Sequence, residues 1–520
     1  MVLPVQEPSA DQACPSILPA KKMAGIGIHF SSLPGPYGIG DIGDRALKFV
    51  DTLASMGLSV WQFLPTGPTA YGDSPYQPLS AFAGNEMLIG IEPLLRQGLL
   101  LKTEAEVLTR LPVQSVDYGL LIPRKQKVLA RVAERFHATA SSLLKTEYED
   151  FLALNDAAWL DDYAIYRILK TMHGEKPWPE WGKPFVRREK DALEKVKNDN
   201  YQAIQHVKII QFLFTNQWRT LKQYAGEAGV QLFGDIPIYI ALDSADAWAH
   251  PEILLIDEAG KPSHVAGVPP DYFSTDGQLW GNPLYDWRFH EANGYRWWIE
   301  RVRHASNHAD LVRVDHFRGF ESYWAVEFGA GTARVGEWLP GPGDGLFQAM
   351  HSALGSLPIV AEDLGVITPA VNRLRLQYRI PGMKVLQFET ADPEFNPDDI
   401  DSNCVCYTGT HDNDTTVGWF HGSDQDNRPR QEILDTQRNV LQLTGGTAET
   451  IHRDMIRLAF DCPARLAIAP MQDFLGLGSE ARLNIPGTTM NNWRWRLREE
   501  QLTPALRESV ARMTGKSSRV

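Results

Sequence analysis

The chain of 520 residues holds only four cysteines, at positions 14, 404, 406 and 462. So few in so long a chain exclude a disulfide-stapled scaffold. Cys404 and Cys406 stand two apart in an apolar run, so on a strand they share a face. No His/Cys cluster lies near them to complete a zinc site, which leaves free core thiols in a reducing compartment. No apolar run is long enough to span a bilayer. The first twenty residues carry Glu7 and Asp11 and no continuous apolar segment, so no secretory signal is legible. A cytoplasmic protein with a loose N-terminal extension, residues 1–22, is therefore expected. Basic residues are outnumbered, 51 Lys+Arg against 64 Asp+Glu, for a formal charge of -13. Such a surface repels nucleic acid and anionic membrane, and leaves neutral ligands such as sugars unaffected. Walker A, H-E-x-x-H and G-x-S-x-G segments are all missing, which removes the direct readings of phosphoryl transfer, zinc proteolysis and serine hydrolysis.

What is present is a rhythm of short, β-rich apolar runs: Gly25–Leu33, Ser59–Pro65, Val230–Ile240, Leu311–Phe317, Pro358–Glu362, Met383–Phe388, Cys404–Thr410 and Arg465–Gln472. Several are almost continuously hydrophobic, as strands buried on both faces of a parallel sheet should be. Helical stretches alternate with them. After the first run, Asp41 is placed to cap a helix whose Ala46, Phe49, Val50, Leu53 and Met56 follow i, i+3, i+4, i+7 spacing, and Gly57 ends it. Eight such runs predict an α/β fold, a closed (β/α)8 TIM barrel. The spacing is uneven. Residues 23–520 are read as one catalytic barrel interrupted by a mainly helical subdomain at about 70–205 and a loop-rich insertion at about 241–286, both at the C-terminal mouth. The segment Gly38-Ile-Gly40-Asp-Ile-Gly43 matches a dinucleotide-binding glycine pattern. However, Pro34-Gly-Pro36 separates it from the strand, and Ser59–Pro65 ends without the acid that a Rossmann fold needs. It is read as a turn feeding a barrel helix.

Barrel enzymes carry their chemistry at the C-terminal ends of strands. The fourth run ends Arg313-Val-Asp315-His316-Phe317. Alternation puts Arg313 and Asp315 on one face, and the guanidinium would hold the carboxylate charged and able to attack as a nucleophile. A structural ion pair is the competing reading. The fifth run ends Ala361-Glu362-Asp363, where partial desolvation raises an acid's pKa and suits it to donate a proton. Alternation does not choose between Glu362 and Asp363. The seventh leads into Thr410-His411-Asp412-Asn413-Asp414, a His–Asp pair suited to grip sugar hydroxyls, with a helix cap at Asp412 as the alternative. Two opposed carboxyls and a third group binding hydroxyls are what retaining glycosidase chemistry requires. Aromatic residues are plentiful, with 15 Trp and 16 Tyr, but most aromatics in a barrel of this size serve the core.

The segments Arg313-Val-Asp315-His-Phe-Arg-Gly319, Ala361-Glu362-Asp-Leu-Gly365 and Gly409-Thr-His411-Asp412-Asn-Asp414 closely resemble the amylomaltases, or disproportionating enzymes, of glycoside hydrolase family 77. The likeness extends to Gly72-Asp-Ser74-Pro-Tyr76-Gln77, Gly234-Asp235, Gly277-Gln278-Leu-Trp280-Gly-Asn282-Pro283 and Arg482-Leu-Asn484-Ile-Pro-Gly487. It implies a 4-α-glucanotransferase acting on α-1,4-glucans and maltooligosaccharides, with glucose as an acceptor and no cofactor or metal. By resemblance Asp315 is the nucleophile, Glu362 the acid/base and Asp412 the transition-state stabiliser. Arg313, Asp235 and His411 hold the nucleophile and the reacting glucose. Ser74, Tyr76, Gln278, Trp280 and Asn484 are glucan contacts, and Tyr272 and Phe273 belong to a loop covering the cleft. An α-1,4-glucan hydrolase with the same acids is the alternative.

Overall fold

A computed structural model of the chain describes residues 16–70, 73–270, 275–423, 426 and 428–519. Twelve strands are found among them. They are β1 (Met23–Gly27), β2 (Val60–Gln62), β3 (Gln231–Pro237), β4 (His264–Val268), β5 (Gln278–Pro283), β6 (Leu311–Asp315), β7 (Ser322–Glu327), β8 (Glu337–Pro340), β9 (Ile359–Ala361), β10 (Gly382–Val385), β11 (Cys404–Tyr407) and β12 (Leu466–Pro470). Eight of them form one parallel sheet in the order β10-β11-β12-β1-β2-β3-β6-β9. These are the eight runs read from the sequence. The amide of Ala361 donates to Pro381 O at 2.8 Å, drawing the two outer strands together and closing the (β/α)8 barrel. The strands are apolar throughout because one face looks into the barrel and the other onto helices. Inside, Met23, Val60, Phe233, Leu311, Val360, Val405, Leu466 and Ile468 form a packed plug, so the barrel is a core and its mouth is where a ligand fits.

The first barrel helix spans Asp44–Ser55 and its cap is Gly43, without a side-chain bond. Asp41 does not cap it, as the sequence suggested. Its carboxylate accepts the Gly43 amide at 2.9 Å, just ahead of the helix. A Cβ on Gly40 would lie 2.0 Å from Phe30 O, so the glycine-rich segment serves close backbone approach. Of the expected N-terminal extension, residues 1–15 lie outside the described residues. Leu18 is buried against the barrel interior and Lys22 Nζ donates to Cys462 O at 2.8 Å, so this part is packed. Cys404, Cys406 and Cys462 are buried and free, while Cys14 lies outside the described residues.

Between β2 and β3 the chain runs through helices at Tyr118–Thr139, Ser142–Asn155, Asp161–Met172 and Lys190–Asp199 before the long helix Tyr201–Glu227 returns it to the barrel. Residues 241–286, expected to be loop-rich, hold more order than that. β4 and β5 join β7 and β8 in a four-stranded antiparallel sheet, order β5-β4-β7-β8. β5 was illegible because it sits half-exposed at the mouth and carries Gly, Asn and Pro.

Candidate active site

Strand register builds the site. Asp235 on β3 lies opposite Arg313 on β6, and Val314 lies opposite Ala361 on β9, so Asp315 and Glu362 come to the same level at the mouth. Arg313 bridges two acids, with Nη1 donating to Asp235 Oδ2 and Nη2 to Asp315 Oδ1, both at 2.7 Å. The Asp235 side chain is fully buried, whereas that of Asp315 is 31% exposed and opens on the cleft. Burial alone would pull Arg313 down, but Asp235 and Asp315 outweigh it and hold the guanidinium firmly charged. The ion pair that the sequence offered as one reading is present, a buried clamp with one carboxylate open to the cleft.

Glu362 ends β9. Its Oε2 accepts the His316 amide at 2.7 Å and its Oε1 the Leu364 amide at 2.8 Å. Burial first, and then the nearby charge of Asp315, push its carboxyl up to about 7, against the opposing pull of Arg313. Asp363 turns the other way, accepting the Met383 amide at 2.7 Å and pairing with Arg375 at 3.2 Å. The choice that strand alternation left open is made here: Glu362 lines the cleft, whereas Asp363 braces β10.

Asp412 is not a helix cap. The helix after it spans Thr416–His421 and is capped by the Thr415 side chain. The Asp412 carboxylate instead accepts Asn484 Nδ2 at 2.6 Å and lies 3.3 Å from His411 Nε2. Arg482 fastens the arrangement, with Nη2 donating to Asp412 O at 2.7 Å and Nε to Asn484 O at 2.8 Å.

The expected glucan contacts gather around these acids. Tyr76 donates to Asp235 Oδ2 at 2.7 Å and stacks on His411, ring centroids 5.1 Å apart. Ser74 Oγ accepts the Tyr76 amide at 3.3 Å, and Gln278 Oε1 accepts the Trp280 indole N–H at 3.3 Å. Ser74, Tyr76, Gln278, Trp280 and Asn484 all line one cleft of about 410 Å³ with Asp315, Glu362 and Asp412. That volume suits a small organic ligand. Tyr272 and Phe273 lie outside the described residues.

Three residues lie within segments quoted from the sequence but were given no role there. His316 takes a left-handed backbone, φ 55°, which aims its amide at Glu362, while its ring meets Trp280 edge-on at 4.8 Å. Arg482 acts through backbone carbonyls, which no side-chain pattern reveals. Gln77 donates to Asn282 Oδ1 at 2.9 Å across the cleft wall, joining two segments about 200 residues apart. Among the described residues no group of His, Cys, Asp and Glu could hold a metal, and no helix is long and apolar enough to cross a membrane.

Comparison with known proteins agrees with this layout. A family model described as 4-alpha-glucanotransferase, glycoside hydrolase family 77, matches residues 28–503. A 4-alpha-glucanotransferase of Synechocystis sp. is 45% identical over 490 residues, 93% of this chain and 95% of that protein. One from Thermus thermophilus is 44% identical, covering 92% of this chain and 95% of its own length. Among solved structures, the amylomaltase from Streptococcus agalactiae in complex with acarbose superposes with a TM-score of 0.90 at 35% identity, covering 96% of this chain and all of that one.

Proposed function

The chain belongs to the 4-alpha-glucanotransferases of glycoside hydrolase family 77, and from that premise we propose that it moves α-1,4-glucan segments with retention of configuration through a covalent glycosyl-enzyme. Asp315 attacks the anomeric carbon while Glu362 gives its proton to the bridging oxygen of the scissile bond. The shortened glucan leaves with that proton, and the remaining segment is held on Asp315 in the β configuration. The 4-hydroxyl of an incoming glucan, or of glucose, then attacks, Glu362 takes its proton, and a second inversion restores the α-linkage.

One observation carries the assignment. Two carboxyls at one level of the barrel mouth have different surroundings, Asp315 bonded to a guanidinium and Glu362 buried and pushed up to about 7. A single carboxylate-rich pocket would not separate an attacking base from a proton donor. Asp412, fixed by Asn484 and Arg482, presents Oδ2, 3.3 Å from His411 Nε2, to the hydroxyls of the reacting sugar. Arg313 and Asp235 keep Asp315 aimed, and Tyr76 on His411 walls the reacting ring. Proton transfer and fixed charge supply the chemistry.

The test is incubation with maltotriose, following oligosaccharides and free glucose with time. A ladder of longer maltooligosaccharides beside glucose, abolished by Asp315→Asn, is the expected result. Maltose and glucose alone at high substrate would replace transfer by hydrolysis, and turnover that survives Asp315→Asn would remove the covalent route.

A further inference from the structure

A groove larger than the cleft lies away from it. It encloses about 1170 Å³ between the inserted helix Ser142–Asn155 and two barrel helices, Tyr201–Glu227 and Arg296–His308, and shares no lining residue with the cleft. Its floor is a connected set of rings. Phe82 meets Trp297 at 6.2 Å and His304 at 5.3 Å, and Trp159 meets His304 at 6.3 Å. Phe82 and Trp159 are only half-buried, so part of each side chain remains open to a ligand.

A second feature marks the same place. Trp159 sits on a π-helical turn, Asp156–Leu160, which interrupts the inserted helix where it borders the groove. Such turns are uncommon and tend to occur at functional sites. Asn155 fixes the indole, accepting its N–H at 2.9 Å while donating to Phe151 O at 2.8 Å. The ring is therefore held in place before any ligand arrives, at little cost in side-chain entropy on binding.

The rim defines the ligand's chemistry. Arg303 is paired with Glu300, and Lys222 lies 3.8 Å from Asp310, so two of the edge cations are matched on the protein itself. Burial lowers His304 well below the usual imidazole range and keeps the floor neutral. A polyanion would meet as many carboxylates, Asp162, Asp246, Glu252 and Glu300, as cations, Arg219, Lys222, Arg296 and Arg303. A neutral polyol would find aromatic faces for its rings and the rim amides of Asn293 and Asn307 for its hydroxyls.

We propose that this groove is an auxiliary binding site for a linear α-1,4-glucan, with Trp159 and Phe82 as its platform, retaining polymer on the enzyme away from the reacting bond. The choice of glucan rests on the function proposed above. Phe82 and Tyr76 share the loop that follows β2, so a chain held in the groove stays beside the cleft wall.

The experiment is native electrophoresis through gels containing amylose, with Asp315→Asn as the background so that the polymer is not remodelled. Trp159→Ala removes the platform. Ala158→Glu, at an exposed position lining the groove, blocks it without touching the core. Each should weaken retardation by about fivefold to tenfold, the loss of one aromatic contact. In the otherwise wild-type enzyme, both should leave maltotriose disproportionation within about twofold of normal, since so short a substrate needs only the cleft. Unchanged retardation in both variants overturns the proposal. So does a maltotriose rate that falls in step with retardation, which would place the binding in the cleft. A shift in oligomeric state with Ala158→Glu would give the groove to a second copy of the chain instead. Failure of the catalytic reading is seen separately, as wild-type enzyme that makes no longer products from maltotriose.

Discussion

Replacing Glu362 by Gln tests the electrostatics of the cleft without relying on turnover. The carboxyl is raised from 4.5 to about 7, by burial and then by Asp315. An acid whose folded value lies above its unfolded value costs stability once ionised. Below the lower value both states hold the proton and nothing is lost; the cost grows between the two and is complete above the higher. From those values, moving from about pH 5 to about pH 8 removes roughly 2–3 kcal/mol of folding free energy. Glu362 is open to the cleft on one side, so water screening brings the expected figure to about 1–2 kcal/mol. An amide does not titrate. The stability of Glu362→Gln relative to wild type should therefore rise by that amount over the interval, whatever fixed cost attaches to the acceptors lost by the His316 and Leu364 amides. Urea unfolding of both proteins at the two pH values gives the double difference directly. A change below about 0.5 kcal/mol would refute the raised carboxyl, and with it the basis for Glu362 as proton donor.

Four further perturbations follow from the structure. The kcat/KM of the wild-type enzyme should fall as pH rises through about 7, because Glu362 must then be protonated to act, and a profile flat to pH 9 would contradict this. Asn484→Ala removes the 2.6 Å bond to Asp412 and should lower kcat for maltotriose by about tenfold to a hundredfold with little change in Tm, as expected for one hydrogen bond to a charged group; an unchanged kcat would release Asp412 from that support. Arg313→Met leaves Asp235 and Asp315 without their common cation and should cost about 3–5 kcal/mol in urea unfolding, whereas a near-neutral result would mean that Tyr76 alone satisfies Asp235. Gly40→Ala should destabilise by about 1–3 kcal/mol or more through its clash with Phe30 O, and a neutral result in thermal unfolding would show that the backbone there can yield.

The parts of the site that were legible in the chain are those that strand position encodes. Asp315 and Arg313 share a face by alternation alone, and their ion pair appears as that spacing requires. Glu362 and Asp363 show the limit. Neighbours on a strand point to opposite sides, but which side is the cleft depends on where β6 and β10 lie, and neither is near in sequence. Asp412 was ambiguous for a related reason: a cap and a ligand-binding carboxylate look alike until the next helix is seen to start at Thr416.

The eight barrel strands were set by the sequence itself, because a parallel strand covered on both faces must be apolar, and that demand is local and readable. The acids at their ends were readable too, since a carboxyl closing such a run has no core role. Only the tertiary structure decided which acids meet, how Arg313 divides itself between Asp235 and Asp315, and that Asn484 and Arg482 hold Asp412 from some 70 residues away. It alone also revealed the antiparallel sheet at the mouth and the groove beside the inserted helices. Both are made by contacts between distant segments, whose energies depend on register and packing and leave no periodic trace along the chain.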